Sequence, residues 1–476
     1  MAQFNNIPSN VLFALDELEK AGYEAYLVGG CVRDMAADKT PHDYDIATSA
    51  KPEEVMEVFS TYTVVPTGIK HGTVTVILED DAIEVTTYRI DGEYSDGRHP
   101  TEVQFVTSLE EDLSRRDFTI NAIAYQPRHG KIVDPFGGLS DLAQRRIKAV
   151  GDPNKRFQED ALRIMRMFRM YLKPVGKKSP PRSIDSETLR AAIDVMPKLT
   201  EVSAERTQDE LNQILLLINL NNYKMPDVFN AFQTMIQTII PEIAPCIDFE
   251  QNNPYHDLTV FRHSLKALAF IDGDARQALV LKLALLLHDI GKPECYTYNK
   301  ESGIAHFYGH SDVSQQIAAK VLTRLRYSSH TICQVLELIG RHEFEIPQSR
   351  ASVNRLANKL HYTDFVTLMQ MRWCDIMAQN PLHLSWAERL ERADKAAELY
   401  EKMLDEQDLF TLKNLAIDGS DVMALGVPEG KEVGQWLRYA LEQVMDGHWE
   451  NDKYLLRGNL QACIIKEAMS DDSFTA

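Results

Sequence analysis

Two carboxylates spaced by one residue, Asp43 and Asp45, follow shortly after an apolar run that ends in Gly29-Gly30-Cys31-Val32-Arg33-Asp34. On an extended strand, positions i and i+2 project to the same face, so the two acids would stand side by side and share divalent cations. Hard oxygen ligands of this kind suit Mg²⁺ that also touches substrate phosphates. Gly29 and Gly30 let a backbone approach a triphosphate closely. Together these residues read as a nucleotidyl-transfer site. A bare Asp-x-Asp also occurs in polar hairpin loops, and the glycine turn upstream is what separates the two readings.

Further residues extend this first constellation. Glu84 sits inside Ile83-Glu84-Val85, where a strand glutamate ordinarily faces solvent; beside the two aspartates it would complete a triad of acids. Arg89 to Pro100 carries Asp/Gly turn signals without apolar periodicity and reads as a mobile loop. Arg115 and Arg116, in Arg115-Arg116-Asp117-Phe118-Thr119-Ile120-Asn121-Ala122, place two guanidinium groups before a helix start. Such forks bind phosphate bidentately. Asp160 and Arg163 are three apart, which on a helix is one face, and Arg163, Arg166 and Arg169 continue as a row. A surface ion pair with a solvated stripe has this spacing. So does a pair that accepts and donates to the edge of a base with no template strand.

The second half of the chain holds a separate set. His263 is followed by the apolar run Leu285-Leu286-Leu287 that ends in His288-Asp289, then by His310, His342 and Asp375. A single histidine near a core is usually structural. An adjacent His-Asp ending an apolar helix is rarer, and imidazole with carboxylate suits a divalent transition metal. His256-Asp257 looks similar but follows Asn252-Asn253-Pro254 and lacks the apolar helix, so it reads as a decoy.

The elements that must position these residues are legible in outline. Residues 10–20 have helical spacing, with Ser9 or Asn10 as N-cap and Gly22 closing the helix. Residues 24–28 and 43–47 read as strands, Pro52 opens a helix, and 73–78 and 82–88 form a β-branched pair joined by an acidic turn. After about residue 140 strand signals vanish and helical patterns run on, broken by the Lys/Pro-rich stretch 173–182 and by Asn252-Asn253-Pro254.

The 476 residues suffice for about three domains, and a charged fraction of 25% with 44% hydrophobic residues is ordinary for a soluble globular chain. No apolar run reaches the roughly 18 residues of a membrane span. The start of the chain lacks the pattern of a signal peptide. Six scattered cysteines, at 31, 246, 295, 333, 374 and 463, form no Cys-x-x-Cys, which fits free thiols in a cytoplasmic setting. A net charge of −19 counts against non-specific nucleic-acid binding. It leaves room for a local basic face, since Arg145 to Arg182 holds twelve Lys/Arg against three Asp/Glu.

With these segments assembled, the chain resembles the class II tRNA nucleotidyltransferase and poly(A) polymerase family, a branch of the polymerase β superfamily. The likeness rests on the Gly-Gly-x-Val-Arg-Asp turn, the Asp-x-Asp, the Arg-Arg-Asp-Phe-Thr-Ile-Asn-Ala segment and the Glu-Asp-x-Leu-Arg helix. It covers residues 22 to about 215. Ser203 to Leu211 resembles the family's last motif, which braces the base-reading helix. The resemblance implies an α+β fold: a polymerase β-like head of small mixed sheet plus helices, then all-helical neck, HD and tail regions. The expected boundaries are 1–145, 146–250, 251–385 and 386–476. It implies that Gly29, Gly30 and Arg33 bind nucleotide, that Asp43 and Asp45, with Glu84 beside them, hold Mg²⁺, and that Arg116 binds the triphosphate. Asp160 and Arg163 would read the base, with Arg166 and Arg169 nearby. The partners would be a tRNA acceptor end, CTP and ATP, with no membrane; the oligomeric state is not legible. The expected chemistry is in-line attack of a tRNA 3′-hydroxyl on an α-phosphate, with two metals sharing hydroxyl activation and leaving-group charge.

Full CCA addition, addition of A alone and poly(A) synthesis share these motifs. Members that add only CC are expected to lack the flexible loop, which is present here. The second set, His263, His288, Asp289, His310, His342 and Asp375, resembles the HD phosphohydrolase superfamily, with an unidentified divalent metal. A metal phosphohydrolase whose head only binds RNA is therefore the reading from another class. The 173–182 stretch departs from the family, whose helix usually continues unbroken there.

Overall fold

The β-branched run Thr73–Leu78 and its neighbour Asp81–Thr87 pair antiparallel, and alternate residues of the first are buried, as its period-two pattern requires. In the computed structural model, which describes residues 7–79, 81–91, 103–173, 182–272, 276–406 and 411–471, these are strands β4 and β5 of a seven-stranded mixed sheet. They are preceded by α1 (Ser9–Lys20), β1 (Ala25–Val28), α2 (Gly30–Ala36), β2 (Asp45–Thr48), α3 (Pro52–Val58) and β3 (Thr63–Gly68). After them come β6 (Arg89–Asp91), β7 (Val103–Phe105), α4 (Leu109–Ser114), β8 (Ala124–Gln126) and β9 (Lys131–Val133).

The sheet order is β3-β4-β5-β2-β1-β8-β9, and β2 against β5 is its parallel pair. One face is closed by Leu15 and Leu18 of α1, Val32 and Met35 of α2 and Val55 of α3, which pack on Leu27, Ile46, Val74, Val76 and Val85. The opposite face carries the polar side chains of β2 and β5, and there the first cleft opens.

A helical stretch continues the same compact unit, which spans residues 1–244 and Arg324–Arg326. It contains α5 (Gly138–Ala143), β10 (Arg146–Ile147), α6 (Pro153–Glu159), α7 (Leu162–Leu172), β11 (Ser183–Ile184), α8 (Ser186–Val195), α9 (Ala204–Leu217) and α10 (Phe229–Ile239).

The other unit, residues 245–323 and 327–476, is helical. It is built on α11 (Val260–Leu268), α12 (Arg276–Leu287), the hairpin β12 (Thr297–Asn299) and β13 (Ile304–His306), α13 (His310–Arg324), α14 (Ser329–Arg341), α15 (Arg350–Asn358), α16 (Phe365–Ala378) and α17 (Trp386–Asp405). It closes with α18 (Gly419–Met423), α19 (Lys431–Met445) and α20 (Lys453–Asp471). Helix α12 is apolar all round, so it lies at the centre, packed by α11, α14 and α16. No described helix is long and apolar enough to cross a membrane.

Several expectations are corrected. Asp43 lies outside any strand, because β2 begins at Asp45. Helix α1 starts at Ser9 behind an extended Pro8 and has no side-chain cap; Asn10 instead accepts from the Val11 N–H. Strand signals do not end at residue 140: β10–β11 and β12–β13 are short ladders, too brief for alternation to show. Arg89–Asp91, read as loop, is a strand paired with β7, and residues 92–102 lie outside the described residues. The arginine pair precedes one 3₁₀ turn, Thr119–Asn121, instead of a helix.

Candidate active sites

Parallel pairing of β2 with β5 sets Asp45 directly opposite Glu84. Two carboxylates far apart in the chain thus meet on one face of the sheet, as the triad reading requires. Asp43 is exposed, yet close enough that its charge is felt at Asp45. Burial raises the Asp45 carboxyl above its ordinary value; Glu84 and Asp43 add to the rise, and Arg116 opposes it. All three groups are hard oxygen donors, and like charges gathered in this way fit a divalent cation such as Mg²⁺.

Val28 of β1 is the Cα partner of Asp45, so the chain leaving β1 passes the carboxylates at once. Gly29 sits there at φ +74°, where a side chain would be strained. A Cβ on it would stand 3.0 Å from Arg116 Nη1 and 3.8 Å from Asp45 Oδ2. Gly30 opens α2, one turn before Arg33, whose guanidinium is clamped by Asp34 and by the Asn121 side-chain oxygen, each at 2.8 Å.

The arginine motif is held from below. Asp112, fully buried on α4, takes Arg115 at 2.9 Å and Arg116 at 3.2 Å. Burial works to raise its carboxyl, and the two guanidinium groups hold it below the usual range. Asp117 accepts from the Phe118 N–H at 2.8 Å, from Asn121 at 3.0 Å and from Arg166 at 2.7 Å. Burial would push its carboxyl up; Arg166, Asn121, the Phe118 amide and Arg163 hold it at about 2.

The helical wall differs from expectation in one respect. Asp160 is not on a helix with Arg163. It is extended (φ −148°, ψ 101°) at the break between α6 and α7, where its carboxylate accepts from the Leu162 N–H. The two side chains do not pair. Asp160 is bound at 2.7 Å by Arg206 of α9, and Arg163 by Glu159 at 2.7 Å and by the Arg156 carbonyl at 2.9 Å. At the break the Asp160 side chain competes with the helix for the backbone, taking the N–H of the first residue of α7. The arginine row continues as drawn, with Arg166 on Asp117 and Arg169 on Glu210 of α9 at 2.7 Å. A cleft of about 730 Å³ gathers Gly29, Gly30, Arg33, Asp45, Glu84, Arg116, Asp160, Arg163, Arg166 and Arg169 on its walls.

The second unit brings the six HD residues together. His263 Nε2 is 3.0 Å from Asp375 Oδ1, His288 Nε2 is 3.2 Å from Asp289 Oδ2, and His310 Nε2 is 3.2 Å from Asp289 Oδ1. The His310 and His342 Nε2 atoms are 3.1 Å apart. His288, His310 and His342 each donate Nδ1–H to the carbonyl three residues back (Leu285, Phe307 and Ile339), which turns every Nε2 inward. The backbone can close up here because Gly291 has no side chain: a Cβ would meet the His310 carbonyl at 2.8 Å.

The His288 Nε2 and Asp289 Oδ1 atoms are buried without a hydrogen bond. Burial lowers the His288 ring, but Asp289 and Asp375 raise it to about 10, a pull that a metal dication would feel equally. Two overlapping groups, His263-His288-Asp289 and Asp289-His310-His342, are compact enough to hold a metal.

His256 is in a loop, as read, yet its ring packs edge-on against His263 at 4.8 Å between centroids. Lys292, Arg372 and Arg389, which line this second cleft, were not singled out individually from the sequence, nor were Asp112, Asp117, Arg206 and Glu210 around the first. Local spacing carried some signal, since Asp112 stands three and four residues before Arg115 and Arg116, Lys292 three after Asp289 and Arg372 three before Asp375; Asp117 with Arg166, Arg206 with Asp160 and Glu210 with Arg169 depend on contacts across the fold.

Both regions of the chain match known domain families. Residues 25–148 match the poly(A) polymerase head domain and residues 260–403 the HD domain. A CCA-adding enzyme of Lactobacillus delbrueckii subsp. bulgaricus is 34% identical over 454 residues, 92% of this chain and 94% of that one. The chain belongs to the CCA-adding enzyme family. A Leuconostoc mesenteroides member is 49% identical over 203 residues, 42% of this chain and 48% of its own length.

Among solved structures of the family, the Bacillus stearothermophilus CCA-adding enzyme in complex with CTP superposes with a TM-score of 0.63 at 25% identity, covering 97% of this chain and 98% of that one. The Thermotoga maritima CCA-adding enzyme complexed with tRNA has a TM-score of 0.57 at 19% identity over 96% of both chains, a likeness of fold. The mixed-sheet head followed by helical regions is thus the family's architecture.

Proposed function

We propose that this chain adds CCA to the 3′ end of tRNA from CTP and ATP without a template. The observation that carries the reading is the meeting of Asp45 and Glu84 with Gly29 and Arg116 in one cleft that Asp160 and Arg163 also line. Family membership supports it, as do the relatives named as bound to CTP and to tRNA. Mg²⁺ held by Asp43, Asp45 and Glu84 would supply activation of the attacking hydroxyl and neutralisation of phosphate charge.

The protein's own residues do the positioning. Gly29 and Gly30 admit phosphate oxygens against bare backbone. Arg116, steadied by Asp112, and Arg33, steadied by Asn121, flank those glycines and take phosphate charge. Asp160 offers an acceptor and Arg163 a donor to the base edge, and Arg166 and Arg169 tie that helix to Asp117 and Glu210. The boundaries 1–145, 146–250, 251–385 and 386–476 for head, neck, HD and tail remain our division.

The deciding experiment incubates purified protein with tRNA lacking the whole CCA end, lacking only the terminal A, or complete, each with CTP, ATP or both. Sequential CC then A addition is expected. Extension only of the transcript lacking the terminal A would replace the reading with A addition, and untemplated A runs with a poly(A) polymerase.

A second reading applies to the other cleft. We infer that the HD residues bind a divalent metal and hydrolyse phosphoesters, because His288 Nε2 and Asp289 Oδ1 are buried without hydrogen bonds among inward-turned imidazoles. Lys292, Arg372 and Arg389, which line the cleft, suit a phosphate group. A screen of Mn²⁺, Fe²⁺, Co²⁺ and Ni²⁺ against cyclic and linear phosphoesters tests it.

A further inference from the structure

The segment that leads into the HD cluster carries a feature that metal binding does not need. Strand β13 ends at His306, and the chain then reaches His310, one of the six HD residues. Between them, Tyr308 is 80% exposed. Its ring lies flat on the His306 imidazole, 5.3 Å between centroids and 6° between planes, and a 3.4 Å hydrogen bond joins Tyr308 Oη to His306 Nδ1. Both side chains line the second cleft, of about 530 Å³, together with Asp289, His342, Lys292, Arg372 and Arg389. So does the half-exposed Tyr255, whose ring meets His383 at 4.1 Å and the Arg389 guanidinium at 5.4 Å.

Neighbouring rings show what a packing role looks like. Phe249, Tyr296 and Phe307 meet edge-on or tilted in one group, and Lys292 stands 5.4 Å over Phe307. Tyr308 joins no such group: among the described residues its ring neighbour is His306. A single exposed tyrosine is ordinary on a surface. A tyrosine clamped flat in a cleft with cations and metal-suited residues is different, because a planar group laid on it sheds water from both faces. Tyr308 is two residues from His310, so their Cα atoms stand within about 7 Å of each other. That short tether keeps the ring within a nucleoside's reach of a phosphate at the cluster.

We propose that Tyr308, braced by His306, is a specificity-determining residue of the HD cleft and stacks on the base of its substrate, a nucleoside carrying a phosphoester. This rests on the phosphohydrolase reading of that cleft. Water attacks phosphorus, the phosphorus–oxygen bond to the sugar breaks, and the sugar oxygen leaves with a proton, so a nucleoside 3′-phosphate gives nucleoside and inorganic phosphate. Lys292, Arg372 and Arg389 suit the phosphate, and the ring suits any base, since every base has a π-face. Phosphate esters of plain sugars lack the group that Tyr308 fits.

The test compares full-length wild type, Tyr308→Leu and Tyr308→Phe on adenosine 3′-phosphate, an oligoribonucleotide ending in a 3′-phosphate, and ribose 5-phosphate, each with the metals of the screen above. Tyr308→Leu should raise KM for both base-carrying substrates by roughly tenfold, keep kcat within about twofold and leave ribose 5-phosphate unchanged. Tyr308→Phe keeps the ring and should behave as wild type. The larger kcat/KM of the first two substrates names the source, a free nucleotide or an RNA end. At so exposed a position neither variant threatens the fold. Tyr308→Trp gives a readout without turnover: in metal-free protein, adenosine 3′-phosphate should quench the added tryptophan and ribose 5-phosphate should not. Equal loss on all three substrates would make Tyr308 a structural support of the cluster, and no loss on any would leave the ring unused; either overturns the proposal. If wild type hydrolyses none of them with any metal, the phosphohydrolase reading falls, while the quenching still decides whether a base stacks on Tyr308.

Discussion

Of the three acids in the first cleft, Asp45 and Glu84 are cross-strand partners on a rigid sheet, whereas Asp43 sits outside it. Rigid placement is what metal capture needs, so their losses should differ. Asp45→Ala is expected to cut incorporation by at least ~10²-fold, with Glu84→Gln intermediate, in a single-turnover assay with CTP and tRNA. Incorporation within tenfold of wild type in Asp45→Ala would remove the two-metal assignment. Asp117 makes a different prediction. Its carboxyl is held at about 2 in the folded state, below the ordinary 3.8. A depressed carboxylate stabilises the fold above its unfolded value, and that stability is lost as pH falls from about 4 toward 2. Asp117→Asn should therefore cost about 2 kcal/mol near neutrality and progressively less in acid. Urea melts of both proteins from pH 7 to pH 3 check this, and a pH-independent difference would mean that the carboxylate's charge contributes nothing.

At the scale of elements, α9 acts on the base-reading residues from outside. Arg206 holds Asp160, and Glu210 holds Arg169. Arg206→Met should thus free the Asp160 carboxylate and relax base choice, as Asp160→Ala and Arg163→Ala should. UTP and GTP incorporation relative to CTP and ATP should rise roughly tenfold, with triphosphate affinity nearly unchanged. Unchanged selectivity in all three variants would leave Asp160 and Arg163 as structural ion-pairing groups. The same region shows what a sequence can reveal. Residues 73–78 read correctly as a strand because alternation and β-branching agree over six residues. The three-residue strands β6 to β9 were not seen, since they are too short for any period to register. The helix break at Asp160 was missed because no Gly or Pro marks it and Glu159, Ala161 and Leu162 around it are good helix formers. Asp160 was still named, through its motif, although its true partner lies 46 residues away on α9.

At the scale of the whole molecule, the chain carries two sets of metal-suited residues in two compact units, and they were legible to different depths. The six HD residues named from the sequence are brought together by the fold, and five of them follow or occupy helices whose apolar runs announce them. Their surroundings were not singled out: Lys292, 2.7 Å from Asp289, and Arg372, 2.9 Å from Asp375, are i,i+3 neighbours of ligand candidates, but packing of α12 against α16 is what brings the two acids into one cluster. Buried charge of this density is costly without a cation, so metal should stabilise this unit by mass action. His288→Ala with Asp289→Ala should abolish metal retention, measured by elemental analysis after gel filtration. It should also remove the metal-induced rise in melting temperature and any phosphoesterase turnover. Incorporation of CTP and ATP should stay within about twofold of wild type, because every residue we assign to that chemistry lies in the other unit. Equal loss of both activities would mean that the two sites are coupled. Retention of metal by the double variant would move the site away from His288 and Asp289, since no other described residues form so compact a ligand set.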